Sequence, residues 1–167
     1  MALFAVAGAY LLAEREREVF ERGAIERVRA LLTAVDAELR GSVSSLEAMA
    51  VLPDLDAADI ETFRPGAERI LATQPGWINI VVARPTGEHI LNLLVPAGKP
   101  LPPSQDHATA RRAAESRRSV VGDMVSGAVL KRPIFTIRTP VIRNGETKLV
   151  LSAVLDPASI KRLLEHQ

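Results

Sequence analysis

Along residues 14–52 the apolar positions Ile25, Val28, Leu32, Val35, Leu39, Leu46 and Met49 recur at spacings of three and four, with Ser42 filling the one gap. That period places one stripe along a helix. The segment holds no proline, and its only glycines are Gly23 and Gly41. A long helix over 14–52 is predicted. Leu31 and Val43 widen its stripe to the breadth of a core-facing helix. The same stripe also suits a parallel pair of chains, so two uses of the helix stay open, a core face and a dimer seam. Pro53-Asp54-Leu55-Asp56 ends it. Asp56, with Asp59 three residues on, reads as the cap of a second helix over 57–73. Pro65-Gly66 predicts a kink or break at Arg64, and Gln74-Pro75-Gly76 a firm stop.

The period then changes from helical to strand-like. Residues 77–84 (WINIVVAR), 89–95 (HILNLLV), 119–125 (SVVGDMV), 133–142 (PIFTIRTPVI) and 147–155 (TKLVLSAVL) are rich in β-branched residues and read as five strands. Pro85-Thr86-Gly87-Glu88 and Asn144-Gly145 supply hairpin turns. Pro140 predicts a gap in the ladder of the fourth strand, near an edge or a bulge. Between strands two and three lie a loop with prolines at 96, 100, 102 and 103 and a short basic helix, 108–118, started by Asp106. Asp156 caps a closing helix over 157–165, with Pro157 at its first position. The class is therefore α+β, a long N-terminal helix packed on a five-stranded antiparallel sheet. Strands one and five are apolar on both faces, so both faces of the sheet need cover. The long helix supplies one roof, and the segment 96–118 with strand three supplies the other. A sheet under a proline-rich loop is a natural place for a small-molecule pocket.

Residues 2–13 form an apolar run, ALFAVAGAYLLA, that stops at Glu14-Arg15-Glu16-Arg17-Glu18. It is shorter than the ~20 residues a bilayer span needs. It also lacks the basic start and small-residue cleavage site of a signal peptide. It reads either as the outer part of a transmembrane helix, over 1–13, or as the start of a buried soluble helix. In the first case the folded module covers 14–167.

Composition narrows the chemistry. The charges nearly balance, 21 Lys+Arg against 20 Asp+Glu, so nothing draws the chain globally to nucleic acid. One Trp, one Tyr and four Phe are too few for a base-stacking surface. With no cysteine, disulfides, zinc–thiolate sites and thiol nucleophiles are excluded. His89, His107 and His166 have no metal-ligand spacing. Gly145-Glu146-Thr147-Lys148 lies in a hairpin turn, not before a helix, so it is no phosphate loop. No nucleophile elbow and no dense acid–base cluster can be assembled. The expectation is a protein that is not an enzyme and uses no cofactor.

A binding pocket needs only a few polar groups on an apolar wall. In strand four Thr136 and Arg138 share one face, while Phe135, Ile137 and Val141 share the other. Arg138 either snorkels to water from an edge strand or faces a pocket and holds an anionic ligand in a bidentate pair. Asp123 is a surface acid, a partner for Arg138, or a second ligand contact. Asn92 bonds the following loop or faces ligand. Asn79 and Ser152 bring polar groups into the central strands. Trp77 is a core anchor or a pocket wall. The group Arg111, Arg112, Arg117 and Arg118 reads as a solvated helix face.

Two stretches carry a resemblance. PGWINIVVARPTGEHILNLLVPAGKPLP, 75–102, and PIFTIRTPVIRNGETKLVLSAVLDPASI, 133–160, look like the first hairpin and the two closing strands of the Cache sensor domains, extracytoplasmic relatives of the PAS fold. The resemblance covers roughly residues 14–165 and rests on scaffold words. It implies a module on the periplasmic side of a bacterial inner membrane, feeding a histidine kinase, a diguanylate cyclase or a chemoreceptor. It further implies a membrane anchor, an unidentified small-molecule ligand, a homodimer through the N-terminal helix, and no nucleic-acid partner. The aromatic- and Arg-rich pattern of the family's amino-acid-binding members has no counterpart here, since the only tyrosine, Tyr10, lies outside the domain. A ligand-free module that reads a periplasmic protein partner is the alternative.

Overall fold

The computed structural model describes residues 26, 28–56 and 59–158. The apolar run at 1–13, the start of the long helix, and the closing helix beyond 158 lie outside the described residues. Two compact units are distinguished, 1–38 and 39–167. In the first, residues 28–38 are helical, and the Thr33 hydroxyl donates to the Arg29 carbonyl at 2.9 Å.

In the second unit α1 covers 39–50. A 3₁₀ turn, Pro53–Asp56, follows it, then a second, Ile60–Phe63, which leads into α2, Arg64–Ala72. The break expected at Arg64 is a change of helix type there, with Pro65 in the first turn of α2, where a missing N–H costs nothing. The cap of this segment is Asp59, whose carboxylate accepts from the Glu61 N–H at 3.0 Å, and not Asp56. Asp56 instead receives the Arg143 guanidinium at 2.6 and 2.8 Å. Arg143 also donates to the carbonyls of Ala50 and Leu52, where α1 leaves its last acceptors unpaired.

The sheet consists of β1 (Trp77–Ala83), β2 (His89–Asn92), β3 (Val120–Val121), β4 (Val125–Ser126), β5 (Pro133–Arg143) and β6 (Glu146–Leu155). α3, His107–Ser116, lies between β2 and β3 in the chain. All pairings are antiparallel, in the order β2-β1-β6-β5-β3, with β4 also on β5. The fold is α+β, with six strands among the described residues where five were expected. The expected third strand is two short ones, because Gly122 turns the chain between them; its N–H donates to the Thr136 carbonyl at 2.7 Å. β2 ends at Asn92, earlier than expected, because the Asn92 side chain accepts the Leu94 N–H and turns the backbone. Pro140 sits beyond the last β3 partner of β5, Arg138, so its lack of an N–H breaks no β3 pairing.

One face of the sheet carries the main core. Ile80, Val82, Leu91, Phe135, Ile137, Val141, Leu151, Ala153 and Leu155 pack there against Leu46, Met49 and Ala50 of α1, Phe63, and Ala67 of α2. The α1 stripe in this unit is therefore core. Ser42, its one polar member, accepts the Trp77 indole N–H at 2.8 Å in the interior. The opposite face is covered by α3, by β4, and by the strap between β2 and α3, residues 93–106. It holds a smaller apolar cluster of Val81, Ile134 and Val154.

A candidate ligand-binding cavity under the strap

Antiparallel register assembles the site from four strands. Asn92 pairs with Val81, Val81 with Ser152, and Ser152 with Arg138, which makes one continuous row across β2, β1, β6 and β5. The neighbouring row runs Asn79, Val154, Thr136. Period-two alternation turns both rows to the face away from α1. There they line a cavity of about 60 Å³, with His89, Asp106, Pro102, Pro103 and Ser104 on the strap side and Val125, Leu130 and Ile134 among its apolar walls.

A β-bulge decides which end of β1 reaches this cavity. Trp77 and Asn79 would share a face in a regular strand, but the register shifts between them. Trp77 consequently enters the helix-side core, and Asn79 enters the cavity. A second register shift, between Val82 and Ala83, accompanies the placement of His89 on the cavity side together with Asn92.

Arg138 is only 3% exposed. β5 is not an edge where it sits, since β6 and β3 flank it, so the snorkelling reading is overturned. Its guanidinium donates to the Ser152 hydroxyl at 3.3 Å and faces the Asp106 carboxylate at 3.7 Å. Its Nε has no partner. Burial lowers the Arg138 pKa, and Asp106 partly offsets that. The other Asp106 oxygen accepts the Thr109 N–H at 3.0 Å and so caps α3. Gly122 gives this cluster room, because a Cβ there would stand 2.8 Å from the Thr136 hydroxyl and 3.0 Å from Asp106 Oδ2.

Asn92 bonds the following loop and also lines the cavity. Its side-chain oxygen accepts from Leu94 N–H at 3.0 Å and from the Asn79 amide at 2.8 Å. Asn79 thereby turns its own oxygen free. Among the described residues, the buried side-chain polar atoms without a hydrogen-bond partner are Asn79 Oδ1, His89 Nδ1, Asp106 Oδ2, Thr136 Oγ1 and Arg138 Nε. All five belong to residues of this one cavity. Buried polar groups are normally satisfied, and each exception costs about 1–3 kcal/mol. Five at one place, offering both donors and acceptors, form a surface suited to a small polar molecule.

Of the residues singled out in the sequence, Arg138, Asn92, Asn79, Thr136 and Ser152 line the cavity; Trp77 and Asp123 do not. Trp77 belongs to the core. Asp123 is exposed, and the acid facing Arg138 is Asp106. The reading of the sequence missed two members. Asp106 was recognised as a cap, but a cap uses one carboxylate oxygen and leaves the other for a second role. His89 has no metal-ligand spacing to mark it, and strict alternation sets it on the face of Leu91; the register shift after Val82 moves it to the cavity side.

Comparison with known proteins places the fold. No family model matches the chain, and no curated protein matches it. Solved structures do. The sensory domain of the Campylobacter jejuni chemoreceptor Tlp3 with isoleucine bound superposes with a TM-score of 0.63 at 14% identity, over 83% of this chain and 60% of that one. The ligand-binding domain of the Pseudomonas aeruginosa amino-acid chemoreceptor PctB in complex with L-Gln gives 0.65 at 14%, over 83% of this chain and 56% of that one. An extracellular ligand-binding receptor from Desulfohalobium retbaense gives 0.67 at 15%, over 84% of this chain and 27% of that one. The chain thus spans at most about 60% of the length of these three relatives. The fold is that of the Cache-like sensory domains.

Proposed function

We propose that the chain is the extracytoplasmic ligand-sensing module of a bacterial membrane receptor, and that the cavity under the strap holds a small carboxylate. The observation that carries the reading is the buried Arg138 with an unpartnered Nε–H among four further unpartnered polar atoms. A carboxylate accepts from a guanidinium in the geometry that suits both. The apolar wall of Val125, Ile134 and Val154 suits a short aliphatic tail. The cavity of about 60 Å³ favours a ligand of few heavy atoms. The structural relatives named above were solved as ligand-binding domains, two of them with amino acids.

The finer parts of the reading are an anchor formed by 1–13, a homodimer along the N-terminal helix, a periplasmic position, and a histidine kinase as output. Ligand binding would then bias two arrangements of the dimer. Among the described residues no helix is long and apolar enough to cross a membrane, so the anchor rests on the apolar run alone. A ligand-free interaction module would favour a filled interior, which is why the cavity supports the sensor reading.

Thermal denaturation of the chain lacking 1–13, against a library of small carboxylates, amino acids, sugars and amines, tests the proposal. A carboxylate in excess over its dissociation constant raises Tm by mass action, and Arg138→Met abolishes the rise. If only non-acidic compounds raise Tm, or if Arg138→Met responds as the wild type does, the carboxylate reading fails.

A further inference from the structure

The charges of the cavity do not match an anion. Arg138 and Asp106 face each other at 3.7 Å and cancel, so a carboxylate entering beside them leaves a net negative charge among buried side chains. Either the ligand carries its own positive charge, or the protein supplies one. Among the lining residues, His89 is the one whose ordinary pKa lies near neutrality.

The geometry prepares His89 for that role. The Pro102 carbonyl of the strap acts on its ring and favours the protonated form. His89 Nδ1 is buried with no hydrogen-bond partner, which leaves this nitrogen free to take a proton in the interior. β5 brings Arg138 to the ring, and α3 brings His107, with Asp106 at its cap. β1 and β6 present only the uncharged Asn79, Val81, Ser152 and Val154 to the cavity. Burial first, then Arg138 and then His107, lower the His89 pKa from its ordinary value, against the opposing effect of the Pro102 carbonyl.

We infer that the cavity binds a carboxylate together with one proton, taken up at His89 Nδ1. The inference rests on the carboxylate reading above and deepens it. The bound anion brings the net negative charge that favours imidazolium, and it gives Nδ1–H an acceptor. The two occupancies therefore strengthen each other, as linkage requires. The sign follows. The anion raises the His89 pKa, so anion affinity rises as pH falls from the bound-state value to the free one, and is flat outside that window. A zwitterion such as glycine brings its own cation and binds without the proton. Small anions are thereby distinguished from amino acids of the same size by their dependence on pH.

The test uses the full chain and sodium acetate as probe. Imidazole nitrogen resonances are followed by NMR between about pH 5 and 8, with and without acetate at matched ionic strength. His89→Gln identifies the signal. The expected result is a His89 pKa raised by about one unit or more in acetate. The acetate dissociation constant falls up to about tenfold per pH unit on acidification within the window, and this dependence is lost in His89→Gln. If acetate perturbs Arg138 and Thr136 while the His89 pKa is the same with and without acetate and the acetate affinity does not change with pH, this inference is overturned and the carboxylate site stands. If acetate perturbs no cavity resonance at any pH, the site and the inference fall together.

Discussion

Asp106→Asn separates the two duties of one carboxylate. Asparagine caps a helix about as well as aspartate, so the bond to the Thr109 N–H, 3.0 Å long, survives. What is lost is the charge 3.7 Å from Arg138. At an effective dielectric constant of about 20, two unit charges at that separation attract by about 4.5 kcal/mol. Removal of one partner from a buried pair costs about 3–5 kcal/mol, because the other charge stays buried without compensation. A loss of about 3 kcal/mol is therefore expected, a large part of the roughly 5–15 kcal/mol that holds a domain together. Urea denaturation of wild type, Asp106→Asn, Arg138→Met and the double variant measures it as a cycle. The double variant, with neither charge, is expected within about 1 kcal/mol of wild type. A second readout is selective. Sodium nitrate, a planar anion without a titrating proton, should stabilise Asp106→Asn more than wild type, because Arg138 then lacks its internal counter-ion. The reasoning is refuted if Asp106→Asn loses less than about 1 kcal/mol, or if the double variant is no more stable than the single one.

Gly122→Ala should destabilise the protein by about 1–3 kcal/mol in thermal denaturation, since the added methyl stands 2.8 Å from the Thr136 hydroxyl; an unchanged Tm would show that the loop yields freely. Trp77→Phe should cost about 1–2 kcal/mol by stranding the buried Ser42 hydroxyl, yet leave carboxylate binding intact by calorimetry, because Trp77 packs on the opposite face of the sheet. The His89 pKa is lowered in the fold, so the unfolded chain binds the extra proton first. Ligand-free stability should therefore fall as pH drops from about 6.5 toward the folded-state value and level off below it. His89→Gln should flatten that part of the urea-midpoint profile.

Much of this architecture is written in local pattern. The alternation that sets Thr136 and Arg138 against Phe135, Ile137 and Val141 runs over the five consecutive positions 134–138 and returns at Val141, and β5 follows it. Asp106 and Asp59 cap the segments they precede because a short acceptor before a helix has little else to bond. The failures are where one residue changes the count. The bulge after Trp77 exchanges the faces of Trp77 and Asn79, and only the partner strand, with Val154 and Leu155 opposite, reveals it. Gly122 divides an expected strand because its backbone bonds Thr136, fourteen residues on in the chain. The meeting of Asp106 with Arg138 depends on how a proline-rich strap folds over the sheet, and no period along the chain encodes that closure. Asp123, nearer Arg138 in sequence, is the surface acid, and the strap supplies the partner instead.

The most direct test of the cavity as a carboxylate site is a crystal structure of the chain with the library compound that raises Tm furthest. The account predicts its carboxylate against Arg138 Nε, within hydrogen-bonding distance of the Thr136 hydroxyl, with its tail toward Val125 and Ile134. The same compound held elsewhere, with Arg138 Nε, Thr136 Oγ1 and Asn79 Oδ1 still without partners, would contradict it.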